Sequence, residues 1–337
     1  MSTAAVAICT FNRPDQLRQA LRAWAASSRR PDQVVVVDAS PDAAAAARRV
    51  PAEHAGLFGE GSAYLVADRA STTAQRNQAV DSVTTDVVVF ADDDTIPDRD
   101  YLARLLAVFE ADPGGRVGGV AGTTAEQHHL SWRARQRLRE LGVARLVGTR
   151  YPVPRRVAYP AAAAPPPLPP ALHLVRKRAL NGCNMAFRTA LVAEARFDEH
   201  MGGYAYGEDF DLSFRIGRHH ALLKRSDANV EMAVSHGSTV DPYYFFMIRW
   251  LNPAYLVAKH GLGEQGWRSL ERLLVLERAA DLARGRAPSA PDRESVRRRY
   301  ATAGSLVEAL RGAPPDDLVP RYEALQAEVA EGEPAAA

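Results

Sequence analysis

The chain has 337 residues, 47% of them hydrophobic and 24% charged, which is typical of a globular protein that buries a sizeable core. Its formal net charge of +2 gives no general case for nucleic-acid binding, and we expect no nucleic-acid partner. Two cysteines exclude a disulfide framework and a zinc-ligand spacing, and no uncharged apolar run approaches the ~20 residues of a membrane span.

Short apolar runs alternate with helical patterns over the first 122 residues. The apolar runs at 4–10, 33–40, 62–67, 86–91 and 116–122 predict strands, and the stretches 14–27, 71–82 and 98–111 predict helices. Ser71 is expected to cap the second of these helices. Continuously apolar strands separated by helices favour a mostly parallel sheet covered on both faces. The sequence therefore predicts an α/β fold.

Polar residues follow three of these strands at their carboxyl ends, where ligands bind in parallel sheets. The first strand is followed by Thr10, Asn12 and Arg13, and the second ends at Asp38. The fourth strand ends in a run of carboxylates. This convergence predicts a ligand site at that end of the sheet.

The run of carboxylates after the fourth strand consists of Asp92, Asp93 and Asp94. Three adjacent like charges repel one another unless a positive charge lies among them. An Asp-x-Asp pattern suits Mg²⁺ or Mn²⁺, which take oxygen ligands and often share them with substrate phosphates. The alternative interpretation is a solvated acidic loop before the next helix.

A second acidic cluster lies in the segment 207–219, where a helix is predicted to begin near Glu208. Asp211 and Arg215 are four residues apart, as in a helical ion pair, and we assign Asp211 to that structural role. Asp209 has two interpretations: it caps the helix with Glu208, or it acts as a general base that takes a proton from an acceptor hydroxyl.

The middle of the chain is basic and then rich in proline. Residues 131–156 contain eight arginines and one acid, which predicts either a helix packed on the domain or an amphipathic helix on an anionic membrane surface. Residues 159–170 contain "PPPLPP" and predict a long exposed loop. The pattern from about residue 243 is helical. Cys9 and Cys183 are interpreted as reduced, buried thiols, so we expect a cytoplasmic protein, which the basic segment would leave either free or peripheral at the membrane.

These motifs together resemble those of a known family. The segments "VAICTFNRPDQLRQAL", "VVVVDAS", "QRNQAV", "VVVFADDDTIPDRDYL", "NGCNMAFR" and "FDEHMGGYAYGEDFDLSFR" look like the family 2 glycosyltransferases, in the same order and over about residues 4–250. The resemblance implies a GT-A fold, with a mostly parallel, Rossmann-like sheet and a C-terminal helical extension.

The resemblance also implies a division of the chain into parts. The expected parts are 1–122, the nucleotide-sugar-binding half; 123–180, an insertion with the basic helix and the proline-rich loop; 181–242, the acceptor and catalytic half; 243–330, the helical extension; and 331–337, a disordered tail.

Roles for individual residues follow from the resemblance alone. The nucleotide is expected to contact Thr10, Asn12, Arg13 and Asp38, with the ribose at Asp93 and the diphosphate above Arg76. The metal is expected at Asp92, Asp94 and His236. The expected general base is Asp209, with Glu208 beside it in the acceptor site, and the pocket floor is Asn181, Gly182, Cys183 and Asn184. The family usually has a second acid after Asp38, and here that residue is Ala39.

The implied function is transfer of a sugar, of the hexosyltransferase class, from a nucleotide-diphosphate sugar to an acceptor hydroxyl with inversion. Mg²⁺ or Mn²⁺ would assist, and the acceptor could be a glycan, a lipid-linked molecule or a small molecule. One alternative is a haloacid-dehalogenase-type phosphatase or phosphotransferase, but Ile96 stands where that motif wants Thr or Val. Another is a non-catalytic sugar-nucleotide-binding relative, against which the acidic motifs argue.

Overall fold

The structure is a computed structural model that describes residues 1–125, 162–233, 240–284 and 293–332. It divides into two compact units: residues 1–127 with 160–238, and residues 128–159 with 239–337. The first unit contains the sheet and the second contains helices. The described parts of the chain contain no helix that is long and apolar enough to cross a membrane.

The described strands belong to one nine-stranded sheet. They are β1 (Ala4–Thr10), β2 (Gln33–Asp38), β3 (Ala63–Val66), β4 (Val87–Asp92), β5 (Thr95–Pro97), β6 (Val117–Ala125), β7 (Leu174–Lys177), β8 (Asn184–Arg188) and β9 (Ala221–Met232). The order is β3-β2-β1-β4-β8-β6-β9-β5, and β7 pairs with β9 outside this path. The half from β3 to β4 is parallel, whereas β8 is antiparallel to both of its neighbours.

The helices of the first unit are α1 (Pro14–Ala25), α2 (Ala43–Glu53), α3 (Thr72–Ser82), α4 (Tyr101–Glu110), α5 (Thr189–Ala195) and α6 (Glu208–Gly217). Alternate residues of each strand face opposite sides of the sheet. Val6 and Ile8 therefore join one core cluster with side chains of α1 and α4, while Ala5 and Ala7 join a second with side chains of α3 and α6. Both faces are buried, which explains why the strands are apolar throughout.

The predicted α/β fold is confirmed, and every strand and helix predicted before residue 122 is present. The sheet is mixed, because the second half of the chain adds strands in both directions. Ser71 occupies the N-cap position of α3, but its side chain does not cap a backbone N–H. Its hydroxyl lies 3.0 Å from that of Thr73 instead, so the predicted capping bond is wrong.

Part of the proline-rich segment is packed against the first unit. Ala162 and Pro166 are buried, and the N–H of Ala163 donates to the carbonyl of Gly217 over 2.8 Å. Leu168 packs against the core. Residues 162–169 form a loop without regular structure that is anchored at these positions, and Ala164, Pro165, Pro167, Pro169 and Pro170 are exposed, as the composition predicts. Residues 159–161 and the basic segment 131–156 lie outside the described residues.

The second unit is helical, as the sequence predicts. Its described helices are α7 (Pro242–Lys259), α8 (Gly263–Arg284), α9 (Arg293–Arg311) and α10 (Pro315–Ala330). The rings of Tyr255 and Tyr322 stack with centroids 4.0 Å apart, and the Tyr322 hydroxyl donates to Asn252. The side chain of Asp241 caps α7 by accepting the N–H of Tyr244. The five-part division of the chain stays a prediction, and residues 333–337 lie outside the described residues.

Candidate active site

The candidate site lies where β1, β2 and β4 end. In the sheet register Cys9 lies opposite Asp92, and Ala91 lies opposite Asn184 at the start of β8. The N–H of Asp92 also donates to the carbonyl of Cys183 over 3.4 Å. The acidic turn and the segment 181–184, which are far apart in sequence, therefore meet at one end of the sheet.

Asp93 has a hydrogen bond at each carboxylate oxygen. It accepts from the hydroxyl of Thr10 at Oδ2 and from the guanidinium of Arg13 at Oδ1, both over 2.7 Å. Burial raises the pKa of Asp93 to about 6, although both of these contacts favour the charged form. The structure thus joins three residues that the resemblance places around the nucleotide.

Asp94 is buried, and only one of its two carboxylate oxygens has a partner. Its Oδ2 lies 3.1 Å from Nη1 of Arg13, whereas its Oδ1 is buried without a hydrogen-bond partner. Burial, with the nearby charge of Asp92, raises the pKa of this carboxyl. A buried carboxylate oxygen without a partner is costly, and a bound cation would remove that cost. Asp94 therefore fits a metal ligand.

Asp92 differs from its two neighbours. Its side chain is 43% exposed and its Oδ1 lies 3.4 Å from Nη2 of Arg76. The three carboxylates thus divide between two arginines, which supply the positive charge that the sequence requires. Within the described residues no three His, Cys, Asp or Glu side chains gather as a metal site. His236 lies outside those residues.

Arg76 is a buried cation that connects the two acidic clusters. Its Nη1 donates to Oε1 of Glu208, and its Nη2 donates to the carbonyl of Gly182 over 3.1 Å and to Asp92. The rings of Phe90 and Phe197 lie 5.9 and 5.4 Å from its guanidinium carbon.

This arrangement shifts the pKa of both Arg76 and Glu208. The carboxylates of Glu208 and Asp92 raise the pKa of Arg76 against the effect of its burial. Burial raises the pKa of Glu208 to about 7, against the effect of Arg76. The resemblance places Arg76 beneath a diphosphate, whereas here its guanidinium binds protein oxygens.

Asp209 lies in the first turn of α6 and is held by backbone donors. Its Oδ2 accepts the N–H of Gly182 over 2.9 Å, and its Oδ1 accepts the N–H of Phe210 over 2.8 Å. The preceding loop turns sharply, with Ala205 at φ 51° and Gly207 at φ 97°.

The predicted pocket floor is buried except for Asn181, which is half-buried. Asn184 donates to the hydroxyl of Thr124 over 3.2 Å, and its Oδ1 is buried without a partner. Burial raises the pKa of the Cys183 thiol to about 12, so this thiol stays protonated at neutral pH. The Oδ1 of Asn184 therefore has unused hydrogen-bonding capacity.

Asp38 is anchored by residues that the sequence did not single out. The hydroxyl of Tyr64 donates to its Oδ2 over 2.6 Å, and the N–H of Ser40 donates to its Oδ1 over 2.8 Å. Ser40 in turn accepts the N–H of Asn12, which has a left-handed φ of 54°. Alternate residues of a strand face the same side, and Tyr64 lies beside Val36, two residues before Asp38, so strand pairing could have placed Tyr64 on the face of Asp38.

Residues of α1 and α2 join this group in one cleft. The cleft is lined by Thr10, Arg13, Asp38, Ser40 and Tyr64, together with side chains from α1 and α2. The structure thus brings Thr10, Arg13 and Asp38, which the sequence predicts to contact the nucleotide, to one surface.

Comparison with known proteins identifies the family. A family model described as "Glycosyltransferase like family 2" matches residues 2–223. The chain belongs to this family. The predicted membership is thereby confirmed, and the protein is a glycosyltransferase. No curated protein sequence matches the chain.

Solved structures with a similar fold include a mannosyltransferase and the protein TarS. A mannosyltransferase, PcManGT from Pyrobaculum calidifontis, in complex with GDP-Man and Mn²⁺, has 19% identity and a TM-score of 0.52, over 99% of this chain and 81% of that one. S. aureus TarS 1-349 in complex with UDP-GlcNAc has 13% identity and a TM-score of 0.53, over 99% and 93%. Another TarS structure has 14% identity and a TM-score of 0.52, and the match covers 98% of this chain and 53% of that one.

Proposed function

We propose that this glycosyltransferase moves a sugar from a nucleotide-diphosphate sugar to an acceptor hydroxyl with inversion, assisted by a divalent metal and with Asp209 as general base. The observation that carries the proposal is Arg76, because its single guanidinium contacts both Asp92 and Glu208. The acidic turn that would bind the leaving group and the helix that carries Asp209 are thereby within reach of one substrate.

The donor assignment is supported by the cleft beside the acidic turn. Thr10, Arg13 and Asp38 line it, and Tyr64 fixes the Asp38 carboxylate. PcManGT and TarS bind GDP-Man and UDP-GlcNAc in their structures, which supports a nucleotide-sugar donor for this chain as well. Asp93, held by Thr10 and Arg13, would position the ribose side of the nucleotide.

A divalent metal fits the oxygen of Asp94 that has no hydrogen-bond partner, together with the half-exposed carboxylate of Asp92. When bound, such an ion would neutralise charge that develops on the diphosphate leaving group. His236 remains a predicted third ligand. The Mn²⁺ in the PcManGT structure supports this class of ion, and Mg²⁺ has the same preference for oxygen.

The reaction is a single displacement. The acceptor oxygen attacks the anomeric carbon, the bond from that carbon to the diphosphate oxygen breaks, and Asp209 takes the acceptor's proton. Attack opposite to the leaving group inverts the configuration. The N–H groups of Gly182 and Phe210 keep the Asp209 carboxylate in one orientation throughout.

Calorimetric binding of UDP, dTDP and GDP, each with and without Mn²⁺, tests this proposal. We expect one nucleotide to bind tightly with Mn²⁺ and weakly after chelation. The corresponding nucleotide sugars should then be hydrolysed slowly in the absence of an acceptor. If none of the three binds with Mn²⁺ present, the proposed donor class is wrong.

A further inference from the structure

Gly182 stands between Arg76 and Asp209 in a chain of hydrogen bonds. Nη2 of Arg76 donates to the Gly182 carbonyl over 3.1 Å, and the Gly182 N–H donates to Oδ2 of Asp209 over 2.9 Å. The two bonds use the two polar groups of one residue. We propose that Arg76 is a positioning residue that holds the general base through Gly182, a role that rests on the proposed function of Asp209.

The environment of Arg76 favours this role over a contact with the diphosphate. Its side chain is only 5% exposed, and it contacts Glu208, Asp92 and the Gly182 carbonyl. A guanidinium has five N–H donors in a rigid plane, and here that plane links three protein oxygens. Leaving them for a phosphate would uncover the buried carboxylate of Glu208, which is costly.

Glycine has no Cβ, and a Cβ at position 182 would force its neighbours to shift. A Cβ there would lie 2.9 Å from Oε1 of Glu208 and 3.3 Å from Nη2 of Arg76. The Gly182 backbone can approach the ion pair closely because no side-chain atom intervenes. The contact therefore depends on glycine for space, and the backbone of Gly182 needs no unusual conformation.

The rigid placement of Asp209 has a kinetic consequence. A general base must lie within hydrogen-bond reach of the proton that it removes, and a small displacement of a catalytic group lowers the rate strongly. Arg76 fixes the position of the Gly182 residue, and Gly182 fixes one oxygen of the carboxylate. Loss of the arginine fork should lower kcat and leave binding of the donor nucleotide nearly unchanged.

Arg188 provides a matched structural control. It donates to the carbonyls of Asp112 and Val117, pairs with the buried Asp112 carboxylate over 3.2 Å, and lies 5.5 Å from the ring of Phe109. Arg188 thus has the same kinds of partner as Arg76, without any contact to Asp209 among its described bonds. Arg188→Lys should affect stability without a selective loss of kcat.

The experiment measures two quantities for Arg76→Lys, Gly182→Ala and Arg188→Lys: the Kd of the best of UDP, dTDP and GDP with Mn²⁺, and kcat for hydrolysis of the matching nucleotide sugar. For Arg76→Lys we expect kcat to fall about tenfold to a hundredfold, with Kd changed by less than about threefold. A tenfold weaker Kd with kcat preserved would overturn the proposal, because it would indicate a direct diphosphate contact. A kcat loss equal to that of Arg188→Lys would overturn it as well.

Gly182→Ala keeps every charge and tests the same chain of bonds if Arg76→Lys fails to fold. We expect this variant to have a lower kcat and an unchanged Kd for the nucleotide. The double variant Arg76→Lys/Asp209→Asn should be no slower than Asp209→Asn alone, since Arg76 acts through that carboxylate. Additive losses would contradict the proposal. If Asp209→Asn alone hydrolyses the donor at the wild-type rate, the proposed function fails; if it is slow and Arg76→Lys is not, only this inference fails.

Discussion

Two arginines balance the acidic groups of the site, and they do so in different ways. Arg13 follows β1, its side chain is 23% exposed, and it contacts Asp93 and Asp94. Arg76 lies within α3, its side chain is 5% exposed, and it contacts Asp92, Glu208 and the Gly182 carbonyl. The Arg13 side chain therefore reaches solvent directly, whereas that of Arg76 is almost fully enclosed by protein. The difference indicates an adjustable donor side and a fixed side around the base.

The largest expected effect is a loss of reaction rate on replacement of Asp209, on the fixed side of the site. Asp209→Asn should lower donor hydrolysis and sugar transfer by about two to four orders of magnitude, because an amide cannot accept the proton. Nucleotide binding should change little, and calorimetry together with steady-state rates would check both. Asp211→Asn is the control on the same helix: Asp211 pairs with Arg215, so this variant should lose stability and keep its rate. Lost nucleotide binding in Asp209→Asn would contradict the assignment.

The next largest effect is on the pH dependence of folding stability, and it involves Asp93 on the adjustable donor side. Because burial raises the pKa of Asp93 to about 6, the folded state binds this proton more tightly than the unfolded state does. The stability that this group contributes is present below about pH 4 and is lost as the pH rises through about 6.

Urea unfolding of wild type and Asp93→Asn in chelating buffer measures this loss. The wild-type free energy of unfolding should fall relative to the variant between pH 4 and pH 7, by up to about 3 kcal/mol. A constant difference between the two proteins over that range would show that Arg13 cancels the effect of burial.

A smaller effect should appear on replacement of Asp94. Asp94→Asn should weaken nucleotide binding about tenfold when Mn²⁺ is present and not at all after chelation, because it removes the proposed ligand charge. Asp98→Asn is a matched control, since Oδ1 of Asp98 is also buried without a partner while its Oδ2 bonds Arg104. Calorimetric titration of both variants with the nucleotide, with Mn²⁺ and after chelation, measures this difference. Equal behaviour of the two would mean that Asp94 is not a metal ligand.

The smallest effect distinguishes the two arginines directly. Arg13→Gln removes a positive charge beside Asp93 and Asp94, so Mn²⁺ alone should bind a few-fold more tightly than it binds wild type. Thermal unfolding with increasing Mn²⁺ and no nucleotide would measure this gain. A weaker response to Mn²⁺ than in wild type would show that Arg13 helps to form the cation site rather than competing with the cation.

The sequence predicts the first half of the sheet well because each buried strand has its own pattern. The run Val87–Asp92 is apolar until its last residue, and α6 begins at Glu208 as predicted. β9 is harder to predict, because charged residues interrupt its apolar pattern. One of them, Arg225, is buried and bonds to Asp227 and to the carbonyl of Arg104. β5 has three residues, too few for a periodic pattern.

The site was predicted as a set of residues but not as a set of contacts. The motifs identify Asp92–Asp94 at a strand end and Asp209 at a helix start, and the family resemblance adds Arg76 within α3. The sequence cannot reveal that Arg76 binds Glu208, 132 positions away, or that Gly182 connects it to Asp209. Such pairings depend on how strands from both halves of the chain come together in the sheet.

The pairing of β5 with β9 has a consequence for how the protein is made. β5 follows the three carboxylates directly, and its partner residues come from the far end of β9, so that Thr95 lies opposite Met232. The N–H of Ala233 also donates to the carbonyl of Asp94 over 2.7 Å. A ribosome must therefore release residues up to 233 before the acidic turn closes. Until then the acidic turn lacks both the pairing of β5 with β9 and the hydrogen bond from Ala233 to Asp94.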